Sequence, residues 1–177
     1  MFKNYLDFKD QIKGKTVAVL GAGVSNTPLL RMLVDFECEI TIRDKSKELP
    51  PEITDMIKGK NVKTVLGEHY LKDIRENYLF RSPGIMSHNE NIVKAVENGS
   101  LLTSEMEVFF DICPAKIIGI TGSDGKTTTT TLIYEILKSA GYTCHLGGNI
   151  GRPLLGDIAD IKKEDIVIVE LSSFQLM

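Results

Sequence analysis

Lys116-Ile-Ile-Gly-Ile-Thr-Gly-Ser-Asp-Gly-Lys-Thr-Thr128 sets a short apolar run against a glycine-rich turn. Leu132, Ile133, Ile136, Leu137 and Ala140 then recur as one stripe at helical spacing, and Gly141 stops it. Strand, loop, helix is the order this pattern predicts. Glycines let backbone N–H groups turn toward a phosphate, and the helix N-terminus adds positive potential. Lys126 would neutralise β- and γ-phosphate charge, and the Thr127 hydroxyl is a magnesium ligand. The strict G-x-x-x-x-G-K-[ST] pattern is not met, because Ile120 stands where its first glycine belongs; the loop is the tighter G-x-x-G-K-T. The competing reading is a plain glycine turn with an exposed lysine. The strand before and the helix after favour the phosphate loop.

A similar unit lies upstream. Lys15-Thr-Val-Ala-Val-Leu20 predicts a strand, Gly21-Ala-Gly23 a turn, and Leu29, Leu30, Leu33 and Val34 a helix, with Pro28 in its first turn and Ser25 or Asn26 as its cap. Glu39–Asp44, Val62–Leu66 and Tyr78–Arg81 predict further strands, with helices opening at Pro50-Pro51 and running over Ile92, Val93 and Val96 to a stop at Gly99. Strands alternating with helices imply an α/β chain built on parallel sheet. The expected division lies in the stretch Leu101 to Pro114, giving units of residues 1–101 and 102–177.

Asp165-Ile-Val-Ile-Val169 is apolar throughout, as a strand buried on both faces should be. Glu170 closes it, at the strand end where open α/β sheets bind ligands, and its carboxylate would complete the coordination of a magnesium held by Thr127. A solvated strand-end glutamate is the alternative. The strand's next neighbours are expected to be missing, leaving the second half marginally stable.

Gly21-Ala-Gly23-Val-Ser-Asn26 is close to a dinucleotide fingerprint, with Asp44 where a ribose-binding acid belongs, but Asn26 replaces the third glycine. A cradle for a pyrophosphate and a turn that needs glycine for sterics alone both remain open. Gly147-Gly-Asn-Ile-Gly151 brings backbone and an amide near a ligand or is simply a loop.

Composition narrows the classes. At 177 residues there is room for one large domain or two small ones. Lys+Arg 21 against Asp+Glu 24 gives a net charge of -3, which disfavours a nucleic-acid partner. Cys38, Cys113 and Cys144 are odd in number and widely spaced, and His69, His88 and His145 are scattered, so neither a disulfide framework nor a zinc site is expected. Charges interrupt the N-terminus, and no apolar run reaches the ~20 residues of a membrane span. A soluble cytoplasmic protein is expected.

Ile120–Thr128, Gly147–Gly151 and the closing Glu170-Leu-Ser-Ser-Phe-Gln-Leu176 together resemble the Mur ligases of peptidoglycan synthesis, and Gly21–Ser25 with Ser82-Pro-Gly-Ile85 extends the resemblance over the whole chain. The resemblance implies a Rossmann-like N-terminal domain with a parallel sheet, then the first part of a truncated P-loop ATPase domain. It implies ATP and Mg2+ as cofactors, with ATP on Gly122, Ser123, Asp124, Gly125, Lys126, Thr127 and Thr128. Thr127 and Glu170 would hold the metal, and Lys126 and Glu170 would be the catalytic groups. Asn149, Ser172 and Gln175 would face a UDP-muramoyl substrate, and Gly21, Val24, Ser25, Asp44 and Gly84 would line its uridine and pyrophosphate site. The closing motif is most similar to the member that joins D-glutamate to UDP-N-acetylmuramoyl-L-alanine through an acyl phosphate. Members of the family continue past this stretch, so the chain is expected to be a fragment that does not turn over alone, and a monomer when complete.

Two other classes stand beside this one. An NAD-dependent oxidoreductase would use the first unit only; Asn26 and the second, phosphate-loop unit speak against it. A non-catalytic nucleotide-binding remnant would bind without turnover. A folate-directed relative shares a loop of this style, and the Gly21-Ala-Gly23 unit and Ser-Ser-Phe-Gln argue for the muramoyl substrate instead.

Overall fold

Five parallel strands, β1 (Thr16–Leu20), β2 (Glu39–Asp44), β3 (Val62–Leu66), β4 (Tyr78–Arg81) and β5 (Leu101–Thr103), form the first sheet in the order β3-β2-β1-β4-β5. The computed structural model that shows this describes residues 1–149 and 153–175. β1 is central, and Val17, Ala18, Val19 and Leu20 are wholly buried, which is why its sequence is apolar without alternation. β2 lies on one side of β1 and β4 on the other, so a crevice opens at the carboxyl end of β1, where the Gly21 turn sits. Leu101–Thr103 pairs with β4, so the first sheet crosses the expected division at residue 101.

The second sheet holds β6 (Lys116–Ile120), β7 (Cys144–Gly148) and β8 (Ile166–Glu170), parallel and in the order β6-β8-β7. This overturns the expectation that Ile166–Val169 lacks its neighbours. β8 is the middle strand, and Val167, Ile168 and Val169 are fully buried between β6 and β7.

Six α-helices accompany the sheets among the described residues: α1 (Tyr5–Ile12), α2 (Thr27–Leu33), α3 (Pro51–Ile57), α4 (Glu90–Glu97), α5 (Glu105–Ile112) and α6 (Lys126–Ser139). The side chain of Asn4 caps α1, accepting from Asp7 N at 3.0 Å. No side chain caps α2. Asn26 turns back instead, its Nδ2 donating to Leu20 O (3.1 Å) and Gly21 O (2.9 Å) at the end of β1.

The stripe on α6 also differs from expectation. Leu132 and Ile136 are 59% and 58% exposed and Ala140 is exposed, while Thr130 is buried and Ile133 and Leu137 are half-buried. A three-stranded sheet covers only a narrow strip of the helix, and the strip it meets runs through Thr130, Ile133 and Leu137, a step around the helix from the apolar centre.

Two apolar clusters sandwich the first sheet. Ala18, Leu20, Leu79, Ile92 and Ala95 lie on one face. On the other, Val17, Val19, Ile40, Ile42, Phe8 and Phe80 are continuous with Met106, Phe109 and Ile112 of α5 and with Leu154, Leu155, Val167 and Val169 of the second unit. Each such side chain stabilises by about 1.5–3 kcal/mol when fully buried, so this shared cluster fixes the two sheets to each other.

Candidate functional site

β6 ends at Ile120, whose carbonyl accepts from Leu171 N at 2.8 Å, and the chain turns through Thr121–Gly125 into α6. Gly125 takes φ 72°, a left-handed conformation that lets the loop feed directly into the helix. Lys126 Nζ folds back over the loop and donates to Gly122 O (2.7 Å) and Ser123 O (3.1 Å). Beneath it lies Glu170, only 2% exposed at the end of the middle strand. Thr127 Oγ1 donates to Glu170 Oε2 at 2.8 Å, and Asn149 Nδ2 donates to Glu170 Oε1 at 3.1 Å.

Three chain segments thus meet at one carboxylate. Thr121, Gly122, Ser123, Lys126, Asn149 and Ser172 share the cleft above it. Asp124 and Thr128 are exposed and do not line it. The Thr127 hydroxyl and the Glu170 carboxylate are hard oxygen donors beside a loop suited to phosphates, the chemistry magnesium takes, so these residues fit that ion.

Gly147 and Gly148 belong to β7 rather than to a loop, while Ile150 and Gly151 lie outside the described residues. Asn149 N donates to Glu170 O at 2.8 Å, which draws the end of β7 tightly against β8 and aims the Asn149 amide at the carboxylate.

On the first sheet the turn after β1 is clasped by Asp44. Its Oδ2 accepts from Ala22 N at 2.6 Å and its Oδ1 from Ser46 N at 2.7 Å, so both oxygens hold backbone. Gly21, Ser25 and Asp44 therefore gather at the carboxyl ends of β1 and β2. Val24 projects outward at 79% exposure, and Gly84 is exposed beyond β4. Gln175 Oε1 accepts from Ser172 N (2.9 Å) and Ser172 Oγ (3.0 Å), closing a turn. Ser172 faces the loop cleft, whereas Gln175 lines a second cavity, between the sheets, together with Ser25, Asn26, Arg81 and Glu105.

Asn26, Arg81 and Glu105 are not marked as site residues by any motif. For Glu105 a signal exists: it lies four residues before Phe109 and seven before Ile112, on the buried face of α5, where a carboxylate is out of place. Burial pushes its carboxyl up to about 7, against a smaller opposing effect of a backbone hydrogen bond with Leu155. The folded chain therefore holds a proton that the unfolded chain releases near pH 4.5, and stability should fall as pH rises between those values, levelling above about 7. The expected loss is about 3 kcal/mol. Urea unfolding from pH 4.5 to 8 checks it: Glu105→Gln should remove this slope, and an unchanged slope would assign it to other groups.

Residues 120–177 match the family model described as the Mur ligase middle domain. The chain is 54% identical over 172 residues to a protein of Acetivibrio thermocellus named UDP-N-acetylmuramoylalanine--D-glutamate ligase, covering 96% of this chain and 37% of that protein. It is 50% identical over 179 residues to the Clostridium novyi protein of the same name, covering 100% of this chain and 39% of the relative. Thus it spans less than two-fifths of the length of the curated relatives it matches. A solved murein peptide ligase from Psychrobacter arcticus is similar at TM-score 0.48 and 19% identity, over 89% of this chain and 37% of that one. With about half of its residues identical end to end to such ligases, and a middle-domain match beginning at Ile120, the chain belongs to the Mur ligase family.

Proposed function

We propose that this chain supplies the nucleotide-binding part of an ATP-dependent amide ligase that adds D-glutamate to UDP-N-acetylmuramoyl-L-alanine. The observation that carries this is the convergence of Thr127 and Asn149 on buried Glu170 beneath a phosphate-type loop over which Lys126 folds. Gly122–Thr128 bind the triphosphate of ATP, with Lys126 countering charge at the β- and γ-phosphates. Thr127 and Glu170 hold magnesium, which when bound supplies charge stabilisation for phosphoryl transfer. Asn149, Ser172 and Gln175 face the muramoyl portion, and Gly21, Val24, Ser25, Asp44 and Gly84 hold the uridine diphosphate.

The reaction balances in two steps. The substrate's terminal carboxylate attacks the γ-phosphorus and ADP leaves, giving an acyl phosphate; the neutral amine of D-glutamate then attacks the acyl carbon, phosphate leaves, and the nitrogen's surplus proton passes to water or the departing phosphate. Loop amides and Lys126 stabilise the charge that develops in the first step.

The two sheets mark two units, divided between β5 and β6, within the stretch 101–114. No helix among the described residues is long and apolar enough to cross a membrane, in keeping with a cytoplasmic site of action.

Binding is the direct test. Calorimetric titration should show UDP-N-acetylmuramoyl-L-alanine bound, UDP bound more weakly and NADH not at all, with ATP and magnesium binding independently. Tight NADH binding with no response to the muramoyl nucleotide would overturn the proposal.

A further inference from the structure

Asp124-Gly125 is the one Asp-Gly pair in the sequence, and Asn98-Gly99 the one Asn-Gly pair. In such pairs the glycine nitrogen can attack the side-chain carbonyl carbon of the residue before it, because glycine carries no side chain to obstruct the approach. The fold treats the two pairs differently. Asn98 ends α4, where Gly99 N donates to Val96 O and Ser100 N to Ala95 O, both at 2.9 Å, so this nucleophile is held inside a helix end. No hydrogen bond of Gly125 N is found among the described residues.

An aspartate at a helix start normally uses its carboxylate as the cap. Here Gly125 takes that position, with φ 72°, and α6 opens with no side-chain cap. Asp124 stands one residue too early. It is exposed, and its carboxylate has no hydrogen-bond or ion-pair partner among the described residues. Nothing lies within 4 Å of where a Gly125 Cβ would be, so a ring joining the two residues has room to form. A free carboxyl, an unheld glycine amide and open space meet at one peptide bond, inside the loop between β6 and α6.

We propose that Asp124 is a site of spontaneous isomerisation and that the isomer silences the phosphate loop. Gly125 N attacks Cγ of the protonated Asp124 carboxyl, and the carboxyl OH leaves as water with the amide proton, giving a five-membered succinimide. Water then adds back at either ring carbonyl. Addition at Cγ restores aspartate, whereas addition at the α-carbonyl leaves isoaspartate, with the main chain running through Cβ and Cγ. No oxidant or other reactant is needed, and the mass is unchanged.

The detour adds one carbon, about 1.5 Å of chain, between Asp124 and Gly125. It shifts Gly125 and the start of α6 against Gly122 and Ser123, whose carbonyls receive Lys126. The silencing rests on the reading of this loop as an ATP site; the isomerisation does not. A bound triphosphate engages the loop amides, Gly125 N–H among them, and so suppresses the attack.

Prolonged warm incubation near neutral pH, followed by mass spectrometry with electron-transfer fragmentation, locates isoaspartate residue by residue. It should accumulate at Asp124 about as fast as in a peptide of residues 116–130, whereas deamidation at Asn98 should run about tenfold slower than in a peptide of residues 92–104, the weight of one hydrogen bond. Slowing at Asp124 as large as at Asn98 overturns the site. Calorimetric titration of the aged chain reads the consequence: the stoichiometry for ATP with magnesium should fall by the isoaspartate fraction, and that for UDP-N-acetylmuramoyl-L-alanine should hold. ATP present at about ten times its Kd during incubation should slow conversion about tenfold. An ATP stoichiometry that holds while isoaspartate accumulates overturns the silencing, and equal conversion with and without bound ATP overturns the protection. A fresh chain that binds no ATP overturns the ATP reading and the silencing with it, while the fragmentation spectra still decide the isomerisation.

Discussion

Lys126→Met should lower the affinity for ATP about a thousandfold and leave the binding of UDP-sugars unchanged. The ammonium is held above the loop by Gly122 O and Ser123 O, both on exposed residues, so water replaces it there at little cost to the fold. Against a triphosphate it would make charge-assisted bonds to two phosphates, each worth about 1.5–3 kcal/mol, and their sum approaches the ~4 kcal/mol of a thousandfold change. Methionine keeps most of the side-chain volume, so the loss reports charge. Parallel titrations with ATP and with UDP-N-acetylmuramoyl-L-alanine check it. A fall in both affinities would mean that the variant disturbs the fold, and unchanged ATP binding would remove Lys126 from the site.

Gly148→Ala should destabilise the chain by about 4 kcal/mol. Part of this is backbone strain, since Gly148 has φ 98°, a region that costs an L-residue about 1–3 kcal/mol. The larger part is steric. A Cβ at this position would overlap the Glu170 backbone oxygen and come within 2.8 Å of Val169 Cγ1. Overpacking of this kind costs about 1–3 kcal/mol or more, and here part of the obstacle is backbone that cannot rotate away. Relief requires β7 to move off β8, which also pulls Asn149 from Glu170. Urea unfolding measures the effect, with Gly59→Ala as the control: Gly59 has φ 75° and open space around its would-be Cβ, so it carries strain alone. Equal losses in the two variants would refute the steric account.

Elements whose identity is decided locally were legible in the sequence. β1, β2, β3, β4 and β6 are apolar or β-branched runs bounded by turn residues, and both glycine turns are marked by their own chemistry. β7 was hidden because Cys144-His-Leu-Gly-Gly148 ends in two glycines, which suggest a loop until β8 is found pressed against them. β5 is three residues long and falls within the expected boundary stretch. The central place of β8 could not be read, because strand order is a long-range property: β8 enters between two strands already made. The displaced buried strip of α6 has a similar origin, since the width of the sheet decides how much of a helix is covered.

The candidate site divides along the same line. Lys126, Thr127 and Glu170 were legible because each sits at a strand end or loop with recognisable chemistry. In the sequence Asn26 breaks a glycine pattern, whereas in the fold it closes the end of β1 and lines the inter-sheet cavity. Arg81 and Glu105 come from different elements and meet only in the folded chain.

The shared apolar cluster under α5 has a geometric meaning for selectivity. Because Phe80 on one sheet and Val167 and Val169 on the other belong to a single core, the span from the Asp44 clasp to the Lys126 loop is set by close packing and not by a flexible joint. In the ligase proposed above, these two sites are the fixed jaws of a gauge. A nucleotide-sugar whose acyl chain is one unit too short or too long would seat its uridine as well as the correct one does, and still fail to bring its carboxylate to the triphosphate.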